Sequence, residues 1–83
     1  MKPASPVYAS ARIAKQINLA GDTAEGYEAL YIGVTGNVVV DVADSGTQIT
    51  FVAVSVGFFP VAVTKIYSTA NGTTAGSIVG LRW

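Results

Sequence analysis

The sequence predicts an all-β protein, a small antiparallel β-sandwich or barrel of about five to seven short strands with an extended N-terminal arm. Two observations carry this prediction: short apolar runs in alternation, and turn-forming residues between them at intervals of about 8–12 residues. A third is size, because 83 residues allow one small domain with one core. Six of the ten charged residues precede residue 29, so we divide the chain into an arm and polar connection (1–28) and a β-domain (29–83).

The N-terminal part begins with an arm and continues through one strand. Residues 1–10 contain two prolines, which lack an amide hydrogen and fix φ, so an extended conformation is predicted there. Ile13 and Ile17 have the spacing of one helix face, whereas the alternation over 16–19 favours a strand, the interpretation that we prefer. A polar connection leads from that strand to residue 28.

Five further strands are predicted in the β-domain. The first two alternate apolar with small or polar residues and flank Thr35-Gly36, a combination that predicts a β-hairpin. Pro60 cannot donate a hydrogen bond to a neighbouring strand, so it should lie near a strand start or on an edge. Glycine, Asn, Asp and Ser separate the other strands. The predicted strands span 29–34, 37–42, 48–54, 58–67 and 77–83.

Charge is scarce in this chain. Charged residues are 12% of the sequence, against roughly 25% in typical domains, and the net charge is zero, whereas 51% of residues are hydrophobic. This balance argues against a nucleic-acid partner, which needs a basic face. The longest apolar stretch, 49–63, is shorter than the ~20 residues of a membrane-spanning helix, so no membrane partner is expected. Strands that are apolar on both faces instead predict contacts between copies, a homo-oligomer.

No catalytic apparatus is predicted. The chain has no His and no Cys, and so lacks the commonest general base, a thiol nucleophile and the usual zinc ligands. Asp41 and Asp44 are interpreted as turn and strand residues rather than a calcium site. Asp22, Glu25 and Glu28 are interpreted as a solvated connection, with a docking patch for a basic partner as the alternative. We therefore expect no enzyme activity, no cofactor and no metal.

Aromatic residues and arginine are the best candidates for contacts, because both are enriched at interfaces. Neighbouring residues on a strand face opposite sides, so one of the two adjacent phenylalanines should close the core. The candidate interface residues are Phe58, Phe59, Pro60, Tyr67, Arg82 and Trp83. The candidate capsid-contacting residues of the arm, a role that depends on the resemblance described next, are Lys2, Pro3, Pro6 and Tyr8.

Three segments carry a resemblance to a known family. Residues 29–38 (ALYIGVTGNV) resemble its opening ALYVGTGGDV, 58–66 (FFPVAVTKI) are similar to ILPVRVTRV, and 70–81 (ANGTTAGSIVGL) resemble ATGTTATDIVAL. In this order they resemble the head-spike base protein family of gene transfer agents and related tailed phages and prophages. The first basic position of the proline segment is here the uncharged Ala62, and the second is kept as Lys65.

The resemblance implies a virion structural protein, a head-spike base or decoration protein on the capsid surface, made in the cytoplasm of a bacterial host. Its implied partners are other copies of itself, in a ring or cluster such as a pentamer, the capsid protein, and a spike or fibre that it anchors. The alternatives are a tail or neck component of similar fold, or a carbohydrate-binding β module. In such a module Tyr27, Tyr31, Tyr67 or Trp83 would stack on sugar rings.

Overall fold

The computed structural model describes residues 11–44 and 46–83 and confirms the all-β class. Seven strands form two antiparallel sheets that pack as a β-sandwich, with the strand orders β1-β7-β2-β5 and β4-β3-β6. A short 3-10 helix, η1, precedes the last strand. The elements are β1 (Ile13–Gln16), β2 (Ala29–Ile32), β3 (Gly36–Val42), β4 (Gly46–Val54), β5 (Gly57–Phe59), β6 (Val63–Ile66), η1 (Thr69–Asn71) and β7 (Val79–Arg82).

The core lies between the two sheets and is built from alternate residues of the central strands. Leu30 of β2 faces Val38 and Val40 of β3, and all three side chains are fully buried. Phe51 of β4 and Phe59 of β5 meet edge to face, with ring centroids 5.1 Å apart. This pair joins an edge strand of one sheet to an edge strand of the other.

Strand β1 begins and ends earlier than the strand predicted at 16–19. It pairs antiparallel with β7, and its last residue, Gln16, lies opposite Val79, the first residue of β7. The Ile17 amide still donates to the Ile78 carbonyl at 2.8 Å, so backbone pairing continues just past the end of both strands. Ile17 follows the strand and is buried in the core. The apolar–polar alternation over 16–19 therefore reflects the burial of a residue that lies just after β1.

The polar connection between β1 and β2 lies along one edge of the three-stranded sheet. Thr23 forms an antiparallel bridge with Ile66, and Tyr27 forms one with Val63. The connection thus covers an edge of β6 that would otherwise present unpaired backbone groups. The predicted arm, residues 1–10, lies outside the described residues.

The hairpin predicted between the first two strands of the β-domain is wrong. β2 pairs with β5 and β7, whereas β3 pairs with β4 and β6, so the two strands belong to different sheets. Gly33 and Gly36 lie where the chain passes from β2 in one sheet to β3 in the other, and a later segment of the chain packs against both glycines. A Cβ on Gly36 would lie 2.5 Å from the Ala75 nitrogen, and one on Gly33 would lie 2.6 Å from the Ser77 Cβ. These glycines permit a close approach of two backbones rather than a two-residue turn.

The single strand predicted over 58–67 is two strands in different sheets, β5 and β6. Pro60 immediately follows β5, and the Val61 amide donates to the Phe59 carbonyl at 2.9 Å. This three-residue turn is centred on the proline, whose fixed φ suits it. Pro60 therefore follows the end of the edge strand β5, and the chain then crosses to β6 in the other sheet.

Two β-bulges bend β4 against β3. At two places β4 advances three residues while β3 advances two. Gln48 and Ala53, with φ of 52° and 55°, occupy the left-handed region. Their amides donate to Asp41 Oδ1 at 2.7 Å and to Asn37 Oδ1 at 3.0 Å, respectively. Two side chains of β3 thus satisfy the amides that the bulges remove from the regular pairing.

Ala53→Gly is expected to raise the free energy of unfolding by about 0.5 kcal/mol. The left-handed region costs an L-residue ~1–2 kcal/mol, which exceeds the ~0.5–1 kcal/mol that glycine loses through its greater freedom in the unfolded chain. Thr50→Gly, in the regular part of the same strand, should instead lower the free energy of unfolding by ~0.5–1 kcal/mol. Urea unfolding of both variants measures these two changes in the free energy of unfolding. An equal decrease in both variants would contradict the bulge geometry.

Candidate interaction surface

The outer face of the four-stranded sheet, the side away from the core, is apolar and aromatic. The strand register places Phe58 opposite Tyr31, and Tyr31 opposite Val79. These residues alternate with the inward-facing Leu30 and Phe59 on the same strands. We call this surface the aromatic face, and define it as Tyr31, Phe58, Val79, Leu81 and Trp83.

Two aromatic rings of this face, those of Phe58 and Tyr31, are accessible. Phe58 is 55% exposed and Tyr31 is 45% exposed. The rings of Phe58 and Trp83 meet edge to face, with centroids 6.3 Å apart. Ala29, which lies opposite Leu81 on this face, is buried. Contiguous exposed aromatic surface of this kind is typical of a binding face.

Phe58 and Phe59 point to opposite sides of β5, the division that strand alternation predicts. Phe59 packs against the core, whereas Phe58 belongs to the aromatic face. Pro60 is exposed beyond the end of the strand. Of these three candidate contact residues, Phe58 and Pro60 are therefore at the surface, and their role in an interface stays a prediction.

Arg82 and Trp83 also face opposite sides. The Arg82 guanidinium carbon lies 5.1 Å from the centroid of the Tyr27 ring, a cation–π contact within the chain. The same ring covers Gly80, where an added Cβ would lie 2.6 Å from it. The Trp83 amide donates to Glu28 Oε1 at 2.8 Å. Arg82 is thus packed on its own domain, while the Trp83 ring joins the aromatic face.

Tyr67 lies away from the aromatic face, just after β6. Its hydroxyl donates to Asp41 Oδ1 at 2.8 Å, and Lys65 Nζ lies 4.7 Å from its ring centroid. The hydrogen bond to the Asp41 carboxylate raises the pKa of Tyr67 above its ordinary value of 10.0. The structure therefore brings Phe58 and Trp83 together but leaves Tyr67 in a separate polar cluster.

The positions of the aromatic residues limit which of them could stack on a sugar ring. Tyr27 is buried, with its ring between Gly80 and Arg82, so it cannot serve as a platform. Tyr31 and Trp83 remain on the aromatic face. The expectation that named Tyr27 for this role is wrong, because its ring packs on Gly80 and is buried.

The three acidic residues of the polar connection bind groups of their own chain. Asp22 accepts the Ser68 amide at 2.8 Å, and Glu25 accepts the Lys15 ammonium at 3.1 Å. Glu28 accepts the Trp83 amide. These carboxylates fasten the connection to both sheets, and the alternative of a docking patch gains no support from their positions.

Acidification is expected to weaken the fold below about pH 4. Hydrogen bonds from the backbone amides of Ser68 and Gln48 hold the pKa values of Asp22 and Asp41, respectively, below their ordinary value of 3.8. A folded-state pKa below the unfolded one contributes stability that is present above 3.8 and is lost as the pH falls through the folded-state pKa.

Urea unfolding at several pH values between about 7 and about 3 measures this effect. The double variant Asp22→Asn, Asp41→Asn keeps both acceptor oxygens but cannot titrate, so its acid loss should be shallower. An identical acid loss in the variant and the native protein would contradict the assignment.

Neither a metal centre nor a membrane helix is found in the part of the chain that the structure describes. Over residues 11–44 and 46–83, no group of three or more acidic side chains could hold a metal ion. No helix within the same ranges has the length and apolar character needed to cross a bilayer.

The fold and this surface define a class, a small two-sheet β-sandwich with an exposed aromatic sheet face. No protein-family model and no curated protein matches the chain. A chain in a solved structure, described as the capsid of a native GTA particle computed with C5 symmetry, is similar in fold, with a TM-score of 0.68 at 23% sequence identity. The match covers 98% of this chain and 100% of that chain, so the whole domain shares that fold.

Proposed function

We propose that this protein is a virion structural protein, a head-spike base or decoration protein that attaches to the capsid, oligomerises and anchors a spike or fibre. The observation that carries the proposal is the fold shared over 98% of the chain with a chain of a GTA capsid particle. The ordered resemblance of residues 29–38, 58–66 and 70–81 to the head-spike base family supports the same role independently. Fold alone does not define function, so the two observations are used together.

The surfaces of the domain support self-association. The aromatic face offers exposed rings on a sheet whose other side forms the core. Strand β4 adds an edge of nine residues without a charge, on which Val52 is 72% exposed. A long uncharged edge can pair with a second chain, but the two bulges of β4 interrupt this edge and disfavour such pairing.

The other sheet edges are protected by other means. β1 is short and carries Lys15, β5 has three residues and precedes Pro60, and β6 is covered by the polar connection. Short, charged or proline-flanked edges disfavour pairing. Because bulges, short strands, charge and the covering connection disfavour pairing at the edges of both sheets, the aromatic face is the surface that we propose for contacts between copies.

The proposed partners are further copies in a ring or cluster, the capsid protein, and a spike or fibre protein. The C5 symmetry of the similar particle is compatible with five copies around one axis. The arm, residues 1–10, is proposed to reach a neighbouring copy or the capsid shell. The role is structural rather than enzymatic, in keeping with a sequence that has neither His nor Cys.

Cryo-electron microscopy of assembled particles tests the location. We expect density for this domain on the capsid surface, at the base of a spike. Density in the tail or neck would overturn the head location and favour a tail component. Light scattering of the purified protein tests self-association, and a monomer at micromolar concentration would contradict the oligomer.

A further inference from the structure

We propose that the aromatic face of one copy binds the proline-containing arm, residues 1–10, of a second copy. This inference rests on the proposed self-assembly and names the contact that forms it. The aromatic face supplies the binding surface, and the arm supplies the ligand.

The composition of the arm matches an aromatic surface. Its sequence, MKPASPVYAS, places Pro3 and Pro6 three residues apart. Polyproline II has three residues per turn, so both prolines lie on one side of such a segment. Aromatic-lined surfaces bind P-x-x-P segments because that helix is largely preformed and loses little entropy on binding. Val7 and Tyr8 extend the apolar surface of the arm.

The aromatic face has the complementary chemistry. Phe58 and Tyr31 are exposed side by side on adjacent strands, and the Trp83 ring meets the Phe58 ring edge to face. Planar rings stack well on the flat apolar ring of proline, whose burial costs little side-chain entropy. Exposed rings of this kind gain the most from a partner that covers them.

The direction of the chain favours an arm from a neighbour. Ile13 of β1 lies opposite Arg82, and Gln16 lies opposite Val79, so the arm leaves the sheet at the end where β7 finishes. Trp83 lies at that end, whereas the row of Phe58 and Tyr31 lies toward the other end of the same strands, beside Val79. The arm of the same copy has to reverse direction to reach that row, whereas the arm of an adjacent copy does not.

The length of the arm is sufficient for this contact. Ten residues of polyproline II span about 31 Å, whereas the three strand spacings of the four-stranded sheet amount to about 14 Å. An arm that leaves one copy at Ala11 can therefore bridge a gap between copies and still cross the aromatic face of its neighbour.

Full-length variants test the proposal. The arm variant Pro3→Ala, Pro6→Ala and the face variant Phe58→Ser should each weaken self-association at least about tenfold, as expected for loss of a central anchor. At a concentration low enough for the native protein and both variants to be monomers, all three should unfold at nearly the same temperature, because neither substitution touches the core. Ser5→Ala, between the two prolines, is the matched control and should associate like the native protein. Sedimentation at several concentrations gives the dissociation constants.

Mixing the two variants distinguishes exchange between copies from a contact within one copy. The arm variant keeps an intact face and the face variant keeps an intact arm, so the mixture should associate more strongly than either alone. Trp83, the only tryptophan, reports the contact by its emission, which should move to longer wavelength when the arm is altered.

Two outcomes overturn the inference in different ways. If both variants associate as strongly as the native protein, self-assembly stands but the contact between arm and face does not. If the native protein is a monomer whose Trp83 emission shifts in the arm variant, the arm binds its own copy. A native monomer without any shift contradicts both this inference and the proposed self-assembly.

Discussion

Gly36→Ala is expected to lower the free energy of unfolding by about 3 kcal/mol, near the upper end of what overpacking costs. An added Cβ would lie 2.5 Å from the Ala75 nitrogen and 2.6 Å from the Thr74 carbonyl carbon. Both are backbone atoms, so no side chain can rotate to relieve the contact. The amides of Thr74 and Ala75 donate to the Asn37 carbonyl, and a displaced segment would lose these bonds too.

This loss is large beside the total stability of such a domain, about 4–12 kcal/mol for a chain of this length. The matched control is Gly21→Ala, because an added Cβ there meets no atom within 4 Å. That variant should stay within about 0.5 kcal/mol of the native protein. Urea unfolding followed by Trp83 fluorescence compares the two. Equal stabilities would show that the segment after η1 does not pack on the start of β3.

Leu30→Ala is the second large effect, an expected loss of about 2–5 kcal/mol. Leu30 is fully buried on the central strand β2, where it lies opposite Gly80 on one side and Phe59 on the other. Gly80 has no side chain that could move into the space, so the cavity should persist. Loss of buried methyl groups and an unfilled cavity both lower the stability.

The control for Leu30→Ala is Val52→Ala, also an aliphatic truncation in a strand. Val52 is 72% exposed, so its truncation should cost about 0.5 kcal/mol or less. Both variants should be unfolded at one fixed protein concentration, because an oligomer gains apparent stability by mass action. A loss at Leu30 no greater than that at Val52 would contradict the placement of the core.

The candidate interaction surface was predictable only in part. Alternation along β5 is local, so it separates an inward phenylalanine from an outward one, and the structure shows Phe59 inward and Phe58 outward. Tyr31 could not be grouped with Phe58 in the same way, because their contact depends on β2 pairing with β5. Arg82 and Tyr67 carry the residue types of an interface, yet each binds a group of its own chain.

The class of fold follows from local patterns, since alternation, proline and turn residues act within a few positions of the chain. Pairing between strands does not follow from them. Gly36 after Thr35 has the local form of a hairpin turn, but Ala75, far along the chain, packs against that glycine and β2 and β3 enter separate sheets. Tertiary packing likewise buries Tyr27 over Gly80 and gathers the aromatic face from strands distant in sequence. Such contacts depend on which backbones approach each other, which no short window of sequence encodes.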